Sequence, residues 1–386
     1  MKFRTSLAAA ALLLAAAPSE ADDECGAPCV GYSLSSEVQG DFIVGTDPAG
    51  LTGDDIEPST DLELFFKPID RLKIVSTITT ESVLDPLPGE DRVFEDIGGY
   101  VSELYAEADF EPVTLRWGKF DPQFGLATNT LDGIYATDLL GDYDSSERWA
   151  VESVLDFEAF GLSHAITASA FTTDRTFLSN SIITRRGKLR LSDGGAGNNR
   201  GIPSFALLLD GCLGAAAAEC YADGRFGYRF GVRYQKAGRR TAEQIEDEII
   251  LNDETGFLAA GTARFEIDPV TLRFLSEFAY FDHFEGEPDD VWYATVSAAA
   301  EIEPVTLAAA YTRQRTLVAG GPDTKADLVD ITASYDLGED FSLAGETWKI
   351  AAAYRYRQDE GVSDHTIGLK LSIGLEGSLS LAGGGE

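Results

Sequence analysis

Long apolar runs are scarce in this chain. Beyond the stretch from Leu7 to Ala17, no segment approaches the roughly 18 apolar residues that a membrane-spanning helix needs, so a helical membrane protein is excluded. Cations are also few. Against 65 Asp and Glu stand 30 Lys and Arg, a formal net charge of −35, which repels nucleic acid and anionic surfaces over the molecule as a whole. Histidine is scarcer still, with His164, His283 and His365 the complete set. His164 follows Ser163 in a segment of strand pattern, where adjacent side chains point to opposite faces and form no nucleophile–base pair. GxSxG, HExxH, phosphate-loop and dinucleotide motifs are all missing. The expectation is a protein that is not an enzyme and uses neither cofactor nor metal.

Lys2 and Arg4 precede the Leu7–Ala17 run, and Ser19-Glu20-Ala21 supplies a small-x-small cleavage site. Residues 1–21 therefore read as a signal peptide and 22–386 as one exported domain. Cysteine is limited to two close pairs, Cys25/Cys29 and Cys212/Cys220, and close spacing in an exported chain favours disulfides over metal ligation or thiol catalysis. Of the three possible connectivities the two local ones are preferred. Asp22-Asp23-Glu24 ahead of Cys25 is unlike a lipidation context.

What the chain does have is strand alternation. From Trp292 through Ala294, Val296, Ala298 and Ala300 to Ile302 one face is apolar, and Tyr293, Thr295, Ser297, Glu301 and Glu303 fall mostly on the other. The chain reverses at Glu303-Pro304 and leaves as Val305, Leu307, Ala309 and Tyr311 against Thr306, Thr312 and Gln314. The same turn recurs at Glu111-Pro112 and Asp268-Pro269, with a looser version at Lys67-Pro68. Pro269 and Pro304 lie 35 residues apart, room for two strands of roughly 9–11 residues or slightly more and one longer loop. This is the period of a transmembrane meander.

The pattern places strands at about 36–44, 60–67, 72–80, 100–110, 113–120, 148–158, 162–172, 203–209, 225–236, 255–267, 270–282, 291–303, 305–316, 326–338, 348–359 and 364–375. The fold class is all-β, a transmembrane antiparallel β-barrel of about 16 strands, or 14 if the weak segment 203–209 and one other drop out. Aromatics mark both ends of the apolar face, Trp117, Trp149 and Trp292 at the loop ends and Phe110, Phe157, Phe265 and Trp348 at the turns, as interfacial girdles do. With the proline turns periplasmic, the longer segments, including 121–147 and 173–202, lie outside.

The face opposite the apolar one then lines the lumen. Arg225, Arg229 and Arg233 share it on one strand, and Arg264, Arg273, Arg355 and Arg357 lie on later strands; Glu103, Glu107, Asp109, Glu152 and Asp156 face them from earlier ones. Two readings stand. Cations in one wall and carboxylates in the other create a transverse field across water, or the charges pair between neighbouring strands and hold a narrow lumen together. The basic segment 173–202, with Arg185, Arg186, Lys188, Arg190 and Arg200, either folds into the mouth, binds anionic headgroups of outer-leaflet lipid, or is a solvated loop. The acidic stretches 54–57 and 285–290 match no calcium loop and read as solvated charge.

Leu115-Arg116-Trp117-Gly118-Lys119-Phe120-Asp121-Pro122-Gln123-Phe124-Gly125 resembles the strand-to-loop segment of Gram-negative porins, in particular the phosphate-selective porin O/P-like group, and Leu104–Phe110 looks like its partner strand. The resemblance implies a sixteen-strand outer-membrane porin, with a homotrimer among the assemblies open to it. The lysine and arginine clusters on which phosphate specificity rests in that group have no position-by-position match here. The expected function is passive diffusion of small hydrophilic solutes and ions across the bacterial outer membrane. A small-anion channel and a non-conducting structural or ligand-binding barrel are the alternatives. Partners are outer-membrane lipid and the solutes themselves, with no nucleic acid.

Overall fold

The computed structural model describes residues 25–48, 53–84, 89–246, 249–338 and 346–381. The expected signal peptide lies outside them. Sixteen strands form the wall: β1 (Cys29–Asp47), β2 (Asp54–Ile69), β3 (Leu72–Ser82), β4 (Ile97–Asp109), β5 (Val113–Phe120), β6 (Arg148–Ala159), β7 (Leu162–Thr173), β8 (Ser204–Leu213), β9 (Phe226–Gln235), β10 (Glu254–Ile267), β11 (Val270–Asp282), β12 (Asp290–Ile302), β13 (Val305–Leu317), β14 (Thr324–Asp336), β15 (Thr347–Asp359) and β16 (Val362–Ser380). Each pairs antiparallel with its neighbours in the chain, and β1 closes the cylinder on β16 from Cys29↔Ser380 to Asp47↔Ser363. Closure leaves no sheet edge, which is what hydrocarbon demands of strands.

All sixteen expected strands are present, the weak one as β8. The terminal strands β1 and β16 run well beyond their expected bounds at the turn end, where serine and glycine dilute the apolar alternation. Two-residue turns close β2–β3, β6–β7, β10–β11 and β12–β13, and the opposite rim carries most of the long connections. By that asymmetry the short-turn rim is periplasmic.

Burial follows the period of two. On β11, Phe274 and Phe278 are 40% and 49% exposed to the lipid side, while Leu275, Glu277, Ala279 and Phe281 between and beyond them are buried. A water-filled lumen would leave inward residues wet. Here Ala206, Leu208, Leu258, Leu275, Phe281 and Tyr293 on β8, β10, β11 and β12 join one apolar cluster with Phe124, Leu140 and Tyr143 of the 121–147 connection. The core of this barrel lies inside it. Both local disulfides are present, with Cα–Cα separations of 6.0 Å for Cys25–Cys29 and 5.5 Å for Cys212–Cys220.

Gly118 has φ +141°, and a Cβ there would lie 2.3 Å from the Leu104 carbonyl oxygen. This lets β5 press onto β4 just before the chain leaves the wall. Gly118→Ala is expected to destabilise the barrel by about 1–3 kcal/mol, read as a lower temperature for the heat-induced mobility shift in detergent gels. Gly99→Ala, where a Cβ meets nothing closer than 3.5 Å, is the control, and equal temperatures for the two variants contradict the account.

Candidate pore and constriction

At Phe120 the wall strand ends and Asp121-Pro122 carries the chain inward; proline has no N–H to continue a ladder. The 121–147 connection, the inward loop, crosses the lumen and is fastened at two stages. At the first, Arg229 donates from Nη1 to the Gly125 carbonyl (3.0 Å) and from Nη2 to Gln123 Oε1 (3.2 Å), while its Nε holds Asp210 at 2.7 Å. Arg233 donates to the Tyr143 carbonyl and grips Glu254 through Nε (3.1 Å) and Nη2 (2.8 Å). Glu277 accepts three bonds from the loop, from the Leu126 N–H (2.6 Å), the Ala127 N–H (3.1 Å) and the Tyr143 hydroxyl. Phe124, Tyr143, Phe281 and Tyr293 pack edge to face or tilted at centroid distances of 4.9–6.1 Å.

The second stage lies on the far wall. The Ile134 N–H donates to Thr332 Oγ1 (3.1 Å), the Tyr135 N–H to Asp330 Oδ2 (3.0 Å) and the Tyr135 hydroxyl to Asp41 Oδ1 (2.6 Å). Arg355 Nη1 reaches Asp138 at 2.9 Å, and back on the first side the Tyr293 hydroxyl of β12 reaches Asp142 at 3.2 Å. A loop bonded to β1, β9, β11, β12, β14 and β15 is a fixed partition. Burial is the largest influence on Asp138 and Asp142 and lifts both carboxyls above the usual aspartate range; Arg355 opposes it at the first and the Tyr293 hydrogen bond at the second.

Several sequence expectations are corrected. Arg229 and Arg233 do face inward, but they are 8% and 2% exposed and clamp the loop instead of presenting a free cationic wall. Arg225 sits below them at the periplasmic end, its N–H bonded to the Leu213 carbonyl at 2.8 Å. Of the later arginines, Arg273 and Arg355 meet acids of the loop and of a neighbouring strand, and Arg264 and Arg357 each meet an acid two residues on in their own strand. Arg264 meets Glu266 (3.2 Å), Arg273 meets Asp132 (3.1 Å) and Glu301 (3.7 Å), Arg355 meets Asp364 (3.1 Å) as well as Asp138, and Arg357 meets Asp359 (3.2 Å). Among the acids, Glu107 and Glu152 share Arg116 at 2.7 and 3.8 Å. Glu103 accepts the Thr77 hydroxyl at 3.1 Å, and Asp109 caps the Glu111 N–H at 3.0 Å. Asp156 lies near the periplasmic end of β6, its N–H bonded to the Pro112 carbonyl at 3.0 Å.

The segment 173–202 does not fold into the mouth. It runs along the rim and fills the wall above β5: Ile182 and Ile183 pair with Gly99 and Gly98 of β4, and the Val101 N–H donates to the Leu178 carbonyl at 3.2 Å. Lys119, 0% exposed, pins the seam through the Val101 carbonyl (2.6 Å), Glu147 (2.7 Å) and Asp174 (3.2 Å). Arg185, Lys188 and Arg190 remain exposed. Nor is the 54–57 stretch solvated charge, since it opens β2 and its Asp55 and Glu57 hold the buried Arg92, Glu57 at 3.5 Å. Asp282, His283 and Asp290 bring ligand-type atoms within 4.8 Å of one another, but hydrogen bonds from the His283 ring and N–H already use the two aspartates.

Three carboxylates on β2, β3 and β4 are held by hydroxyls, and of these alternation points only to Glu103. Asp61 accepts the Thr79 hydroxyl (2.5 Å), Glu81 the Tyr100 hydroxyl (2.6 Å) and Glu103 the Thr77 hydroxyl. Among the described residues none of the three has a cation within ion-pair distance.

Residues 195–353 match the family model of the Gram-negative porin. That match covers less than half of the chain, and together with the closed sixteen-strand barrel it supports a porin-type channel of the bacterial outer membrane. The barrel is similar to Pseudomonas putida OprB (TM-score 0.59, 10% identity, 91% of this chain and 94% of that one). It is also similar to the outer-membrane channel DcaP of Acinetobacter baumannii (0.53, 14%, 91% and 100%) and to Pseudomonas aeruginosa OpdK solved with vanillate (0.51, 10%, 91% and 98%). At these identities the likeness concerns the fold. No curated protein matches the sequence.

Removing the Glu277 carboxylate strands two backbone N–H groups and a tyrosine hydroxyl, a cost of about 1–3 kcal/mol per lost charged partner. The expected phenotype of Glu277→Ala is a noisier porin with larger single-channel conductance, and wild-type traces from the folded variant contradict the anchoring role. Acidification acts the other way. A carboxyl whose docked pKa is raised favours the docked loop once protonated, so loop excursions are expected to become rarer as pH falls through the raised values toward about pH 4, the ordinary aspartate range. Noise that increases over that interval contradicts this.

Proposed function

We propose that this porin is a passive, narrow-bore diffusion channel with a preference for small cations. Its eyelet lies between the inward loop and the carboxylate-bearing wall β2–β4. The observation that carries this reading is the division of charge: Arg229, Arg233, Arg273 and Arg355 are all engaged with the loop or with its neighbouring acids, and Asp61, Glu81 and Glu103 across the gap are held by hydroxyls. A carboxylate with hydroxyl partners keeps its charge for the lumen, and a low-dielectric surround focuses that field on permeating ions.

A small-anion or phosphate channel draws less support. The basic segment that would serve it lies in the wall, and the segment resembling the phosphate-selective group is the hinge where β5 becomes the loop. A homotrimer is the assembly implied by that resemblance, and native mass spectrometry of the detergent-extracted protein reads it.

The test is single-channel recording in a planar bilayer under a salt gradient. Discrete open steps with a reversal potential of cationic sign are expected. In the Asp61→Asn, Glu81→Gln, Glu103→Gln triple variant the cation preference should fall toward none while the step size stays similar. An anion-selective wild type, or selectivity unchanged in the triple variant, overturns the assignment, and a folded barrel that passes no current overturns the channel itself.

A further inference from the structure

The connection between β8 and β9, residues 214–225, is long for a periplasmic turn. It does not hang into the periplasm. Leu207 and Leu213 of β8 face outward at 50% and 39% exposure, so Cys212 between them, fully buried, points into the lumen. The bond from Cys212 to Cys220 therefore draws the following helical turn, Cys220–Asp223, up inside the barrel. The inward-directed Cβ position of Gly227 lies 2.6 Å from Cys220 Sγ and 2.6 Å from Thr262 Oγ1 of β10, which confirms that the sulfur is within the cylinder and explains why β9 carries no side chain there.

From this raised turn Tyr221 reaches the inward loop. Its hydroxyl donates to Asp132 Oδ2 at 3.2 Å, and Arg273 Nη2 holds the same oxygen at 3.1 Å with its guanidinium 5.5 Å from the Tyr221 ring centroid. The outer loop and the periplasmic turn, entering from opposite rims, thus meet at one carboxylate.

We propose that the disulfide-closed turn 214–225 is the lower lip of the constriction, and that Tyr221 is a positioning residue which fixes the inward loop from the periplasmic side through Asp132. Resting on the channel reading above, this adds a second determinant of bore that is set by a covalent tie on the wall. Elsewhere the inward loop is anchored to β1, β9, β11, β12, β14 and β15; at Asp132 its course is fixed by Arg273 and Tyr221. Loss of the tyrosine hydroxyl frees one side of that carboxylate, and loss of the disulfide frees the turn that carries the tyrosine.

The test uses the full mature chain refolded into a planar bilayer. Tyr221→Phe keeps the ring and removes a hydrogen bond to a carboxylate, an interaction whose loss shifts a docked equilibrium by about tenfold; brief high-conductance excursions should become about tenfold more frequent at unchanged selectivity. Tyr221→Ala and the Cys212→Ser, Cys220→Ser pair should each enlarge the main open step. Their combination should add little beyond either, because both act through one contact. Asp132 is the common target, so Asp132→Asn should reproduce the excursions of Tyr221→Phe. Variants that retain the heat-induced mobility shift of a folded barrel but conduct with wild-type step size and noise overturn the lower lip and leave the channel reading intact. Fully additive effects of the tyrosine and cysteine changes also overturn it. A wild-type barrel that opens no steps brings down the channel reading, and the lip with it.

Discussion

Hydrocarbon offers no partner to a backbone N–H or carbonyl, and the arrangement of the inward loop and the rim segment follows from that constraint. A strand that leaves the wall to build a partition exposes the edge of its neighbour. β5 is only eight residues long, and its departure at Phe120 leaves the outer half of β4 without a partner on that side. The chain repairs the gap with a later segment, which lays Ile182 and Ile183 against Gly99 and Gly98. The inward loop and the rim segment are therefore one arrangement, and Lys119, at their junction with three carbonyl or carboxylate partners, stabilises both at once. A buried ammonium is tolerated only with such compensation.

Inside the cylinder the same logic applies to a polypeptide crossing the lumen. The inward loop's N–H and carbonyl groups come to rest on side chains of the wall: Glu277, Asp330 and Thr332 accept, and Arg229 and Arg233 donate. Arginine suits this role because its planar fork reaches a carboxylate and a carbonyl together without losing its charge. The apolar residues under the loop, Leu208, Leu258, Phe281 and Tyr293 among them, supply packing that hydrogen bonds alone do not give. The part of the lumen beneath the loop is thus a protein core with a polar rim.

Much of the fold was legible from the chain. Period-two alternation is fixed by lipid on one side, so all sixteen strands could be placed, and proline turns with their short spacing gave the orientation. Local cysteine spacing gave both disulfides. The site was less legible, for a physical reason: alternation says that Arg229 points inward but not what stands in front of it. The cue was in the sequence as inward residues too apolar for water, Leu208, Leu258, Leu275 and Phe281, opposite a loop that begins Asp-Pro-Gln-Phe-Gly. The cations of 173–202 drew attention to the wrong loop because charge density does not reveal which segment a neighbouring strand needs as a partner. Asp61 and Glu81 do not stand out in the sequence because a carboxylate's electrostatic weight depends on whether its partner is a hydroxyl or a cation, and that is a property of register.

The division of charge between the two halves of the lumen follows from these structural demands. Holding a loop across a barrel consumes cations, since loop carbonyls and buried carboxylates both call for donors. In a chain with more than twice as many acids as bases, the cations spent there are not available elsewhere, and Asp61, Glu81 and Glu103 are satisfied instead by Thr79, Tyr100 and Thr77. Those hydroxyls keep Asp61, Glu81 and Glu103 oriented without neutralising them. In the proposed channel the negative field of the passage is then a consequence of how the partition is fastened, and a substitution that frees Arg229 or Arg233 from the loop would alter bore and selectivity together.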